Sequence, residues 1–140
     1  MQSETKKISH IPNGFTAVTP YFQVADGERF LQFLKDAFGC DDPDVHREDG
    51  TIRHFAVKVY GAMIEGSQVA LDGEYPPNTL AIHLYVKDSD EVYAKSIAAG
   101  GESIHEVADM PYGERSGAVK DPCGNHWYIA TQKVDMYPEH

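Results

Sequence analysis

Positive charge is scarce in this chain: 140 residues carry 12 Lys and Arg against 22 Asp and Glu, giving a formal charge of −10 and a pI near 5.0. Nucleic acid is therefore an unsuitable partner, because phosphate neutralisation needs a basic patch. The basic pair Lys6-Lys7 stands alone in a polar opening, Met1 to Ser9, that has neither an apolar core nor a cleavage-like run of small residues. Long apolar runs are missing too. No stretch approaches the roughly 20 residues of a membrane-spanning helix, so the expectation is a soluble, cytoplasmic protein with no membrane partner. Cysteine is limited to Cys40 and Cys123, expected to be reduced packing residues rather than a disulfide or redox pair. A Gly-rich phosphate loop, a Ser/His/Asp order and a CxxC pair are all absent, which sets those classes aside.

What the chain does have is a repeat. Tyr21-Phe22-Gln23-Val24-Ala25-Asp26 returns as His83-Leu84-Tyr85-Val86-Lys87-Asp88, and Ala56-Val57-Lys58 returns as Ala118-Val119-Lys120. Gly39 and Gly101 keep the register, which slips by one residue between Gly61 and Gly124. Two copies of one module predict a pseudo-symmetric fold with a ligand cleft between related halves. The length suits a single domain over 14–135, with repeats at 14–71 and 79–135, a Pro/Gly linker at 72–78 and a flexible tail over 1–13. The linker either folds back or extends to let halves exchange between subunits.

Each half opens with an alternating strand. In the first, Val18, Pro20, Phe22 and Val24 are predicted to share one face and Thr19, Tyr21 and Gln23 the other. Phe30, Phe33, Leu34, Ala37 and Phe38 then follow helical spacing, and Gly39 supplies a left-handed stop. In the second half Asp88 and Glu91 form a capping box, Val92, Tyr93, Ile97 and Ala98 a weaker apolar stripe, and Gly100-Gly101 an end. Three strands complete each half, at 44–48, 51–60 and 62–67 and at 103–107, 116–120 and 125–131, with turns at Asp49-Gly50, Gly61 and Asp121-Pro122-Cys123-Gly124. The predicted fold class is α+β, built as βαβββ twice.

Apolar positions should face the helix, so their neighbours face the other side of the sheet. That side is predicted to carry Thr19, Tyr21, Gln23, Met63, Glu65, His83, Tyr85, His126 and Tyr128. Imidazole and phenol tips on flat apolar bodies suit a small-molecule site. Glu65 is the sharpest candidate, since a carboxylate beside Met63 and Ile64 must find a partner, a metal or a proton if buried. Arg115, delivered by Pro111-Tyr112-Gly113-Glu114, is a candidate anion fork at the rim, or else pairs with Glu114 or Asp109.

Val18-Thr19-Pro20-Tyr21, the 33–39 segment Phe-Leu-Lys-Asp-Ala-Phe-Gly, the 83–88 strand, Pro111-Tyr112-Gly113-Glu114-Arg115-Ser116 and the run from Asp121 to Thr131 together resemble the PhnB-like branch of the glyoxalase, bleomycin-resistance and extradiol-dioxygenase superfamily, also called vicinal oxygen chelate proteins. The resemblance spans about residues 11 to 135. It implies paired βαβββ modules, each sheet curved into a half-barrel, and a homodimer. It also implies four metal-ligand places on the first, fourth, fifth and eighth strands, which here fall on Thr19, Glu65, Ala81 and Tyr128. Of these only Glu65 is a customary ligand, and a divalent transition metal wants three or four. His83 and His126 are displaced along parallel strands by a stagger of about 13 Å at ~3.3 Å per residue, so both cannot easily reach one ion. No cofactor is expected, although a divalent metal held by Glu65 with His83 or His126, helped by His54 or water, stays open.

The functional expectation is a dimer binding a small aromatic or cationic molecule through Tyr21, Gln23, Tyr85, Arg115, His126 and Tyr128. The alternative is a metal-dependent lyase, isomerase or dioxygenase-like enzyme with Glu65 and His83 as catalytic groups. A scaffold with a packed concave face is a third class.

Overall fold

The computed structural model describes residues 7–139, so residues 1–6 of the expected tail, with Lys6 of the basic pair, lie outside the described residues. The first module comprises β1 (Tyr21–Val24), α1 (Gly27–Phe38), β2 (Asp44–Glu48), β3 (Thr51–Val59) and β4 (Ala62–Gln68). The second repeats the order with β5 (Ala81–Tyr85), α2 (Ser89–Ala98), β6 (Glu102–Asp109), β7 (Glu114–Lys120) and β8 (His126–Gln132). Each module folds into one four-stranded mixed sheet, ordered β1-β4-β3-β2 and β5-β8-β7-β6. The outer pairs β1/β4 and β5/β8 are parallel, which the helical crossover after each lead strand permits, and the remaining pairs are antiparallel. The fold is α+β, two βαβββ modules with open sheets.

Local chemistry accounts for the elements. Asp26 accepts from the Arg29 amide at 3.0 Å to start α1, and Gly39, at φ 66°, ends it by donating to the Lys35 carbonyl at 2.9 Å. Between them Phe30, Phe33, Leu34, Ala37 and Phe38 are all buried. The β2–β3 and β3–β4 hairpins turn on Asp49-Gly50 and Tyr60-Gly61, whose four residues all take positive φ, as two-residue hairpins of this hand require. Asp88 caps α2 through the Glu91 amide at 3.1 Å, while the Glu91 carboxylate turns along the helix to Lys95 at 2.9 Å.

Three expectations about packing are corrected. Val18 is 84% exposed, since β1 begins only at Tyr21 and Thr19 donates its hydroxyl back to the Thr16 carbonyl at 3.3 Å. Ile97 and Ala98 point outward. The buried face of α2 is instead Ser89, Val92 and Ser96, because α2 lies against α1 as well as its sheet, and Arg29 reaches across to the Ala99 carbonyl at 2.9 Å. Small Ser96 hides its hydroxyl by donating to the Val92 carbonyl at 2.8 Å.

The two modules meet on their helical sides. Phe22 of β1 stacks on Trp127 of β8 with centroids 5.7 Å apart and planes 7° from parallel, and Phe38 of α1 lies 5.0 Å from the same indole. Each such buried aromatic contributes on the order of 1.5–3 kcal/mol. At the end of the 72–78 segment Asn78 donates its amide to the Gln23 carbonyl at 3.1 Å and its side-chain nitrogen to Gln23 Oε1 at 3.0 Å. With helices and core shared between the modules, the opposite face of each sheet is left open.

Candidate functional site

On the first open face, β1 and β4 run parallel with Tyr21 beside Glu65 and Gln23 beside Ser67. The register of β3 on β4 sets Ala56 against Glu65, so a small residue leaves room above the strand and His54 leans into it. His54 Nε2 lies 3.5 Å from Glu65 Oε1, and the Tyr21 ring is 6.2 Å from the imidazole. The Tyr21 hydroxyl bonds the Ser67 hydroxyl. Gln23 is held by Asn78 at the edge.

On the second open face β5, β8 and β7 place His83, Tyr128 and Ala118 in one row and Tyr85, Ala130 and Ser116 in the next. His126 lies opposite Ala81, so His83 and His126 are offset by two residues, about 6.6 Å at ~3.3 Å per residue, rather than the four expected. The small residues of β7 and β8 again leave the aromatic rings proud of the sheet. His83 packs 4.6 Å from Tyr85 and stacks on Tyr128 at 6.4 Å and 16°, while His126 meets Tyr128 edge-on at 6.4 Å. Under the His83 ring lies Glu114, whose side chain is 3% exposed: its Oε2 is 3.4 Å from His83 Nε2 and accepts from the Tyr112 hydroxyl at 3.4 Å. The Tyr85 phenol is held above its ordinary range by desolvation first, and then by Tyr137, Glu114 and Tyr112, so these four groups share one neighbourhood.

The predicted residues thus assemble as two groups. Tyr21, Gln23 and Glu65 stand on the first face, and His83, Tyr85, His126 and Tyr128 on the second. Among the described residues no hydrogen bond, ion pair or ring contact joins the two faces. Glu65 is brought to His54, not to His83 or His126. Arg115 leaves the rim altogether: it alternates out of phase with Glu114 and forks onto Asp90 of α2 at 2.7 and 3.0 Å, with Asp109 at 3.3 Å. Sequence reasoning missed Glu114 as a site residue. Extending the Ala118, Ser116 alternation back by one more step places Glu114 on the open face, so the strand's own period carries the signal.

Residues 8–129 match the profile of the Glyoxalase/Bleomycin resistance protein/Dioxygenase superfamily. The chain belongs to this superfamily. Among curated proteins it is similar to the uncharacterized protein Rv0887c of Mycobacterium tuberculosis, 28% identical over 147 residues that cover 96% of this chain and 84% of the other. Among solved structures it is similar to TioX from Micromonospora sp. ML1, with a TM-score of 0.64, 24% identity, and coverage of 87% of this chain and 100% of that one. A glyoxalase-related enzyme from Fulvimarina pelagi gives a TM-score of 0.65 at 21% identity, covering 85% and 91%. Lactoylglutathione lyase from Agrobacterium tumefaciens gives 0.62 at 18%, covering 87% and 98%. At these identities the solved structures support the fold.

The superfamily's four metal-ligand places do not fit here. Ala81 offers no donor, Thr19 is turned to the Thr16 carbonyl, Tyr128 is stacked on His83, and Glu65 pairs with His54. Among the described residues no three His, Cys, Asp or Glu side chains converge as an ion would require.

Proposed function

We propose that this superfamily member is a small-molecule-binding protein that works without the four-ligand metal site, and that the second open face is its principal site. The observation that carries this reading is the exposure of the Tyr85 and His83 rings above a floor of buried Ser116, Ala118 and Ala130. Tyr85 is 54% exposed beside a half-exposed His83, although the other side of their sheet buries Leu84, Val119, Trp127 and Ile129. A flat ligand would bury these rings and stack on them, while imidazole and phenol tips set its orientation. Tyr85, His126 and Tyr128 are assigned to contact, His83 to hydrogen bonding or proton transfer. Tyr21, Gln23 and Glu65 would line the corresponding face of the first module.

The motifs from Pro111 to Ser116 and from Asp121 to Thr131 favour the PhnB-like branch. The assembly we favour is a homodimer, in which open faces of two copies cover one another, in the cytoplasm. Sedimentation at micromolar concentration tests the dimer, and a species near 15.6 kDa alone would overturn it. Thermal-shift screening with aromatic and cationic compounds tests the binding function: a ligand at a hundred times its Kd adds about 2.7 kcal/mol to stability. No shift with any compound would favour a scaffold role.

A second reading has one specific support, the 3.5 Å approach of His54 to Glu65, which are two donors of the kind a divalent ion takes. Under it the chain is a metal-dependent enzyme with a non-standard site on the first face. Metal analysis after chelator-free purification decides: about one equivalent per subunit, lost in Glu65→Ala, would replace the metal-free reading.

A further inference from the structure

Glu114 is a carboxylate without a committed cation. Its side chain is 3% exposed, yet its partners are an imidazole and a phenol, each 3.4 Å from Oε2 at the long end of hydrogen bonding. The two cations of its own strand are engaged elsewhere. Arg115 is forked onto Asp90 and reaches Asp109, and Lys120 pairs with Glu102 at 3.5 Å. A carboxylate withdrawn from water in this way needs positive charge or several strong donors. The groups around it are rings. Tyr85 and Tyr112 are 54% and 60% exposed, and their π faces attract a cation, the more so once a ligand expels water.

We infer that the second open face is a site for an organic cation, a protonated or quaternary nitrogen on a planar apolar body, with Glu114 as counter-ion and the Tyr85 and Tyr112 rings as walls. The inference rests on the small-molecule reading above and names the ligand class for that same site. The long hydrogen bond from the Tyr112 hydroxyl to Glu114 is the contact that such a ligand replaces, while the exposed Tyr112 ring stays as a wall. The overall charge of −10 adds a long-range pull on cations and repels anions.

The test is calorimetric titration of the full chain at pH 7.5 and low salt with benzyltrimethylammonium, neutral benzyl alcohol and phenylacetate. The cation should bind at least tenfold more tightly than the alcohol, and phenylacetate most weakly. In Glu114→Gln the preference for the cation over the alcohol should shrink below threefold while affinity for the alcohol is kept. If Glu114→Gln does not fold, Tyr85→Ala, a change at an exposed ring, should weaken the cation about tenfold. Equal binding of the three probes, or an unchanged preference in the variant that folds, overturns the cation assignment and leaves the small-molecule reading standing. Binding of none of the three overturns both.

Discussion

His83 and Glu114 meet across three strands of the second sheet, Nε2 to Oε2 at 3.4 Å, with the imidazole half-exposed and the carboxylate almost fully covered. The asymmetry in burial sets the energetics. Replacing His83 with Phe keeps the stack on Tyr85 and Tyr128 but leaves a buried carboxylate one partner short, at a cost of roughly 1–3 kcal/mol. Replacing Glu114 with Leu as well removes the orphan, so His83→Phe/Glu114→Leu should lose less than the sum of the two single variants. Urea unfolding followed through Trp127, the single tryptophan, measures all three. Additive losses would show that the pair is not coupled.

The architecture was legible in the sequence because its signals are local. Alternation along β5 and β8, the Asp88 cap, the helical spacing of Phe30 to Phe38 and the left-handed Gly39 each depend on a few neighbouring residues. The site was less legible because its pairs depend on cross-strand register. His54 is in phase with Ala56 along β3, but its approach to Glu65 follows from Ala56 lying opposite Glu65. Arg115 is claimed by Asp90, a first-turn residue of α2 that only the packing of α2 on β7 brings near. Glu114 sits just ahead of the 116–120 segment expected as strand.

Asp121 is the other buried carboxylate of the second module, and its surroundings differ sharply from those of Glu114. It accepts from the Cys123 amide at 2.8 Å, the Asn125 amide at 3.0 Å and the Trp127 indole at 2.8 Å. Asn125 in turn receives the Leu80 amide at 2.9 Å, which fixes the start of β5 beside β8. Asp121→Ala orphans several buried donors together, and a loss of about 2–4 kcal/mol is expected, with hydrogen bonds to a charged group at the upper end of the usual range. Asp121→Asn should lose less, since its carbonyl still accepts one of them. Equilibrium unfolding of both variants checks the order, and a loss below about 1 kcal/mol in Asp121→Ala would refute the structural role.

Cys40 and Cys123 are both free, and both thiols are pushed up to about 11, each by burial first and then by a neighbouring carboxylate, Asp41 for Cys40 and Asp121 for Cys123. A thiol pushed from 9.0 up to about 11 forms roughly a hundredfold less thiolate at neutral pH, and thiolate is the reacting species. Iodoacetamide at pH 7.5 should therefore modify the native protein about a hundredfold more slowly than the urea-unfolded chain, as mass spectrometry of timed samples would show. Stability carries the same information with a definite sign. The folded state holds both protons more firmly than the unfolded state, whose thiols titrate near the ordinary 9.0, so this contribution is whole below about pH 9 and is lost as pH rises towards 11. Tyr60, also raised by burial first, adds to the loss in that range, so the comparison needs a chain without the thiols. Between pH 8 and 10.5 the wild type should lose more stability than Cys40→Ala/Cys123→Ala, and parallel pH profiles would mean that neither thiol is protected by the fold.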